Sequence, residues 1–184
     1  MVVIAPQRAV YRARQFFEAV AAHLTPLSDV ERAEAHAHLP GAARGLFDAM
    51  PRNDQRHSLR VARMLKAAGY DDPALLQAAL LHDVAKAEGE LTIFHRVAVV
   101  LLKAFWPAWP ERWRGRPAPL RHSASYPFWA HINHPERGAQ LAAEAGCLPE
   151  AVKLIRFHQE RIAAEDRSAF ARQLAALQVA DDDN

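Results

Sequence analysis

The sequence predicts an all-α fold of about eight helices. Three observations carry that expectation. Apolar residues recur at helical spacing, i, i+3, i+4 and i+7, along nearly the whole chain. No stretch alternates apolar and polar residues as a half-buried strand would. Helix start and stop residues punctuate the chain at roughly helix-length intervals. With 184 residues, 51% apolar and 24% charged, the chain can bury one ordinary globular core.

The elements follow in order. Pro6 opens a helix over residues 6–23. Ser28 and Glu31 form a capping box for the second helix, which HLPG from His38 to Gly41 ends. A short third helix stops before Pro51. Asn53 is the expected N-cap of a helix reaching Ala68, with Gly69 as its terminator. Asp72 and Pro73 cap and open the next, which carries AALLHDVAKAEGE and closes at Gly89. Residues 92–105 form another. Residues 106–133, rich in Pro, Trp and Arg, are expected to be irregular. Pro135 starts a helix ended by Gly146, Pro149 starts the next, and Ser168 caps the last, which runs towards Ala180. No repeat or low-complexity linker divides the chain. One domain over 1–184 is expected, with 1–52 as an N-terminal helical extension of a core over 53–181.

Composition narrows the function. Lys plus Arg number 23 against 21 Asp plus Glu, a formal charge of +2, which is not the basic footprint of a dedicated nucleic-acid binder. Cys147 is the only cysteine, so no intrachain disulfide or thiolate cluster forms, and a reducing cytoplasm fits. The N-terminus lacks the basic lead and long apolar run of a signal peptide. VAVVLL, residues 97–102, ends at Lys103 and is too short to cross a bilayer.

Ten histidines are many for this length, and helix faces sort them. His57 lies above Val61 and Met64. His82 lies over Leu75, Ala78 and Ala79, and Asp83 over Leu76, Ala79 and Leu80. His134 leads to Gly138 and Leu141. His158 extends Ala151, Leu154 and Ile155, and Asp181 extends Leu174 and Leu177. One such histidine is usually a satisfied core residue. Six polar side chains on inward stripes would need six separate hydrogen-bond solutions, whereas a shared divalent cation satisfies them together. Imidazole and carboxylate suit Fe, Mn, Co, Ni or Zn. His95 shares a stripe with Ala98, Val99 and Leu102 and is read as core. His23, His36 and His38 are read as solvated, and His122 and His131 as surface residues beside a site mouth.

RHSLRVA at 56–62, LLHDVAK at 80–86 and LQVAD at 177–181 resemble the HD-domain superfamily of metal-dependent phosphohydrolases, with its order H…HD…D at His57, His82-Asp83 and Asp181. HPERGAQLA from His134 and IRFHQE around His158 resemble the two extra histidines that hold a second metal in such proteins. The resemblance covers roughly 53–181. Ala85 stands where the family often has Gly, the segment between Lys86 and His134 is long and aromatic, and the first fifty residues match no family pattern.

The resemblance implies a compact helical bundle binding one or two divalent ions, Mg being compatible as well. His57, His82, Asp83 and Asp181 would hold the first. Asp83, His134 and His158 would hold the second, with Asp83 bridging, a role its two oxygens allow. Lys86 is expected on the same helix face as a phosphate contact or a proton donor, with helix-dipole compensation as the structural alternative. Arg60 and Arg137 are candidate phosphate contacts. For Arg60 a structural salt bridge is the alternative. For Arg137 the alternative is solvation, and the expected helix start at Pro135 would add N–H groups for an anion. The implied activity is hydrolysis of a phosphoester or phosphoanhydride of a nucleotide or another small phosphorylated compound. A di-iron oxygenase with the same ligands and a non-catalytic, metal-stabilised nucleotide-binding module are the alternatives. The segment FWPAWPERWRGRPAPLRH, residues 105–122, holds three of the four tryptophans among arginines. It is expected to pack on the helical body, with a nucleotide lid, a membrane-surface patch or, with Trp129, a homodimer contact as other readings.

Overall fold

The structure is a computed structural model describing residues 26–89, 105, 113–163 and 165–183. Among these residues the regular structure is entirely helical: α1 (Asp29–Ala37), α2 (Gly41–Asp48), α3 (Arg52–Ala67), α4 (Pro73–Leu81), a 3-10 segment (Val84–Gly89), α5 (Tyr126–Glu144), α6 (Pro149–Phe157) and α7 (Ala169–Asp182). The helix expected over 6–23, almost all of that over 92–105, and His23 and His95 lie outside the described residues.

Local chemistry sets several of the ends. Ser28 Oγ accepts from the Glu31 amide at 3.3 Å and Glu31 Oε2 accepts from the Ser28 amide at 2.9 Å, which closes the expected capping box. Asp72 Oδ1 accepts from the Leu75 amide at 2.9 Å, and Ser168 Oγ from the Ala171 amide at 3.1 Å. Just beyond α3, Gly69 adopts φ +86°, a left-handed turn that other residues resist.

Three boundaries differ from the sequence reading. α3 starts at Arg52, because the Pro51 carbonyl already accepts from the Asp54 and Gln55 amides at 2.9 Å each. Asn53 is therefore inside the helix, and its side chain bonds Asp54 Oδ1. α4 ends at Leu81 and the chain tightens into the 3-10 segment, so His82 and Asp83 occupy a junction. α5 begins at Tyr126, nine residues before Pro135, which lies inside it.

That early start has a tertiary cause. Asn133 Nδ2 donates to the Trp113 carbonyl at 3.1 Å, and Asn133 Oδ1 accepts from the Gly115 amide at 2.9 Å. Trp129 Nε1 donates to the Arg116 carbonyl at 2.8 Å, and Trp113 and Phe128 pack on Ile132. The 113–116 turn is thus fastened to α5, and Trp113 packs on the helical body as expected. Trp106 and Trp109 lie outside the described residues.

α4 is the centre of the core. Every residue from Ala74 to Leu81 is buried, and α3, α6 and α7 pack around it. Apolar on all sides, it is an interior helix. Leu75, Leu76, Leu80 and Leu81 are fully buried, each stabilising the fold by about 1.5–3 kcal/mol. Because α4 is drawn inward along its length, its C-terminal end delivers His82 and Asp83 into the interior.

α5 crosses the 3-10 segment and α6, with Gly138 at the crossing. A Cβ there would meet Ile155 Cγ2 at 3.4 Å, Val84 Cγ1 at 3.5 Å and the His82 carbonyl at 3.8 Å, which is ordinary contact. Gly138→Ala is therefore expected to raise stability by up to about 1 kcal/mol through helix propensity. Gly138→Val, with two further methyls in the same space, is expected to lower it. Urea midpoints of the two variants check this, and a destabilised alanine variant would mean the crossing is tighter than described.

Candidate metal centre

Four helices and one junction bring the six expected residues together. His57 comes from α3 and His134 from the middle of α5. His82 and His158 are the C-caps of α4 and α6, and Asp181 sits in the last turn of α7. His82 and His134 are 0% exposed, His158 4% and Asp83 5%. His57 and Asp181 form the more open edge, with side chains 22% and 32% exposed.

His57 Nε2 lies 2.8 Å from Asp181 Oδ1 and 3.3 Å from His82 Nε2, which is itself 3.4 Å from Asp181 Oδ1. Asp83 stands between two groups of imidazoles. Its Oδ2 is 3.6 Å from His82 Nε2, while its Oδ1 is 3.3 Å from His134 Nε2 and 3.8 Å from His158 Nε2. Two sets, His57–His82–Asp83 and Asp83–His134–His158, each bring their ligand atoms within 4.8 Å of one another.

The backbone orients the three buried imidazoles. Nδ1 of His82, His134 and His158 lies 2.9, 2.5 and 2.7 Å from the carbonyl three residues back, at Ala79, His131 and Ile155. A carbonyl only accepts, so each Nδ1 carries the proton, and in the neutral rings of His134 and His158 the lone pair on Nε2 turns inward. His134 Nε2 and His158 Nε2 then face each other at 3.2 Å with no proton between them. Asp83 Oδ1, buried beside them, has no hydrogen bond of acceptable geometry. Converging lone pairs around an unsatisfied buried carboxylate oxygen are costly alone and fit a divalent cation with nitrogen and oxygen ligands.

Electrostatics agree with that fit. Burial pushes the His158 imidazole down to about 3, aided by repulsion from His82 and His134. Burial also lowers His134, and the nearby Asp83 carboxylate only partly offsets it. Burial would raise the Asp83 carboxyl, yet His82 and Lys86 hold it well below the usual carboxylate range. Burial likewise opposes Asp181, which the bond with His57 and the adjacent His82 ring hold below its ordinary value. His82 is raised, because Asp83 and Asp181 outweigh its desolvation. The pattern keeps two imidazoles neutral and two carboxylates charged, the forms that bind metal.

The three expected cationic residues fare differently. Lys86 is in the site, and its ammonium donates to Asp83 Oδ2 at 2.5 Å. Arg60 lies on the exposed face of α3, one turn from His57. Arg137 is not at a helix start, since α5 begins eleven residues earlier, so no N-terminal amides stand beside it. Its guanidinium is engaged: Nε and Nη2 donate to Glu88 at 3.0–3.1 Å and Nη1 donates to Gln140 at 2.9 Å. Glu88, which sequence reasoning passed over, thereby ties the 3-10 segment bearing Lys86 to α5.

Other residues gain or change roles. Gln178 Nε2 donates to the carbonyls of His158 and Glu160, pinning the exit of α6 to α7. His131 is half-buried, its ring 5.8 Å from that of His134, and so stands against the site wall. His36, expected to be solvated, is half-buried and bonded to Asp48 at 3.0 Å. His122 is exposed as expected. None of the charged or amide partners named here falls at a fixed helical interval from the residue it serves across elements, so spacing alone gave no signal for them.

Comparison with protein families matches the HD domain model to residues 55–183. Comparison with curated proteins and with solved structures returns no match.

Proposed function

The chain belongs to the HD-domain family, matched over 55–183, and from that premise we propose that it is a metal-dependent phosphohydrolase acting on a nucleotide or another small phosphorylated compound. The observation that carries the reading is Asp83, a buried carboxylate with one oxygen towards His134 and His158 and the other towards His82. His57, His82, Asp83 and Asp181 would hold one divalent ion, and Asp83, His134 and His158 a second. Such ions, when bound, supply the charge that activates water near neutral pH and offsets phosphoryl oxygens.

The chain's own residues do the rest. The buried His82 and His134 fix the inner wall of the centre, and the half-exposed His57 and Asp181 leave its outer edge open to a substrate. Lys86 holds a proton at Nζ beside Asp83, where it compensates carboxylate charge and is an acid for a departing oxygen. Arg60 on the exposed face of α3, one turn from His57, is a candidate phosphate contact. Arg137 would contact phosphate only by exchanging Glu88 for it. Cytoplasmic location belongs to the same proposal; among the described residues, no helix is long and apolar enough to cross a membrane.

The test is chelation and reloading. Metal-depleted protein is reloaded in turn with Mn, Fe, Co, Ni, Zn or Mg and offered mononucleotides, dinucleoside polyphosphates and cyclic diesters. Phosphate or nucleotide release should appear only with metal. Equal rates in the depleted protein would contradict the mechanism. Substrate-dependent oxygen uptake by the iron form would favour the oxygenase alternative, and tight nucleotide binding without turnover under every metal the regulatory one.

A further inference from the structure

His134 differs from the other two buried histidines in one respect. His82 and His158 are C-caps, and each bonds a carboxy-terminal carbonyl of the helix that has just ended. Helix ends leave their last four carbonyls without an intrahelical amide, so those acceptors arise from the fold itself. His134 lies inside α5, which continues to Glu144, and still its Nδ1 reaches the His131 carbonyl, three residues back, at 2.5 Å. In an uninterrupted helix the amide of residue 135 would take that carbonyl. Residue 135 is proline, which has no N–H to give.

We infer that Pro135 is a positioning residue for the metal centre: by withholding the helical amide, it reserves the His131 carbonyl for His134 Nδ1 and so turns His134 Nε2 inward as a lone pair. The inference rests on the metal-centre reading above and adds to it why a helix breaker sits in the middle of a nineteen-residue helix. The same acceptor geometry is reached three times, twice by ending a helix and once by a proline within one. The near-equal spacing of the three Nδ1 contacts, each on the carbonyl of residue i−3, makes a single purpose the economical account.

The test is Pro135→Ala, which restores the amide, with Pro135→Gly beside it. Nitrogen-15 NMR of the metal-free proteins reads the imidazole tautomers directly. Wild type should show His134 protonated at Nδ1, and both variants should lose that preference while His82 and His158 keep it. Titration with Zn should give about ten- to hundred-fold weaker binding at the His134 site in both variants, the usual cost of losing a ligand's outer partner. Thermal stability separates this from a structural role. Alanine favours a helix interior more than glycine does, so the two variants should differ in stability and agree in affinity. Affinity that follows stability, or a His134 tautomer and Zn affinity unchanged in either variant, would overturn the inference. Should wild type bind no Zn at all, the metal-centre reading fails, and the tautomer spectrum still decides the role of Pro135.

Discussion

Asp83→Ala is expected to abolish metal binding and hydrolysis together. Asp83 faces both imidazole groups: its Oδ2 is 3.6 Å from His82 Nε2 and its Oδ1 is 3.3 Å from His134 Nε2. Removing it takes a ligand from both sets and leaves Lys86 without the carboxylate it now meets. The loss in kcat/KM should be about a thousand-fold or more, roughly 4 kcal/mol of transition-state stabilisation. Asp83→Asn keeps the shape and removes the charge, and it should fail almost as badly. Metal content by mass spectrometry, read beside the rate, separates this account from simple unfolding. A folded Asp83→Asn that retains two ions and most of its rate would sink it.

Stripping the metals should give the second large effect, a loss of stability that deepens in mild acid. A ligand at a thousand times its Kd stabilises the folded state by about 4 kcal/mol, or roughly 10 °C for a domain of this size. The acid dependence follows from the imidazoles. His158 stays neutral in the fold from its ordinary 6.5 down to about 3, whereas the unfolded chain takes up the proton in that window. More protons on the unfolded state mean that stability falls as pH falls. His134 has the same sign. His82 has the opposite one: its raised value contributes stability below 6.5 that is lost as pH rises through the folded value. Asp83 and Asp181, held below 3.8, add stability above that value which disappears only in stronger acid. In metal-free protein, melting temperatures between pH 6.5 and 4 should therefore drop more steeply for wild type than for His158→Gln. Parallel curves would show that His158 does not carry the effect.

The fold class was legible because α4, with buried residues from Ala74 to Leu81, and the capped helices at Ser28, Asp72 and Ser168 obey local rules that tertiary structure does not override. The six centre residues were legible for a related reason. Polar groups that continue an apolar stripe must find partners, and the resemblance to the H…HD…D order separated these six from His95, which lies on a similar stripe. The boundaries near the site were less so. Pro135 reads as a helix start by local rules, yet α5 runs through it from Tyr126, because Asn133, Trp129 and Ile132 gain partners about 13 to 20 residues back in the 113–116 turn. Arg137 was placed beside helix-start amides for the same reason, and its real partner, Glu88, is 49 residues away in sequence. Long-range polar pairs of this kind leave no period in a single sequence. The break between α4 and the 3-10 segment was also hidden, although it is what lets His82 use the Ala79 carbonyl.

The central claim is that these side chains gather around divalent ions with Asp83 shared between them. Anomalous diffraction from crystals grown with manganese, recorded on both sides of its absorption edge, tests this most directly. The expected result is anomalous density among His57, His82, Asp83 and Asp181, with a second peak among Asp83, His134 and His158 when both positions fill. Crystals in which manganese is bound elsewhere and this cluster carries no anomalous density would contradict the account.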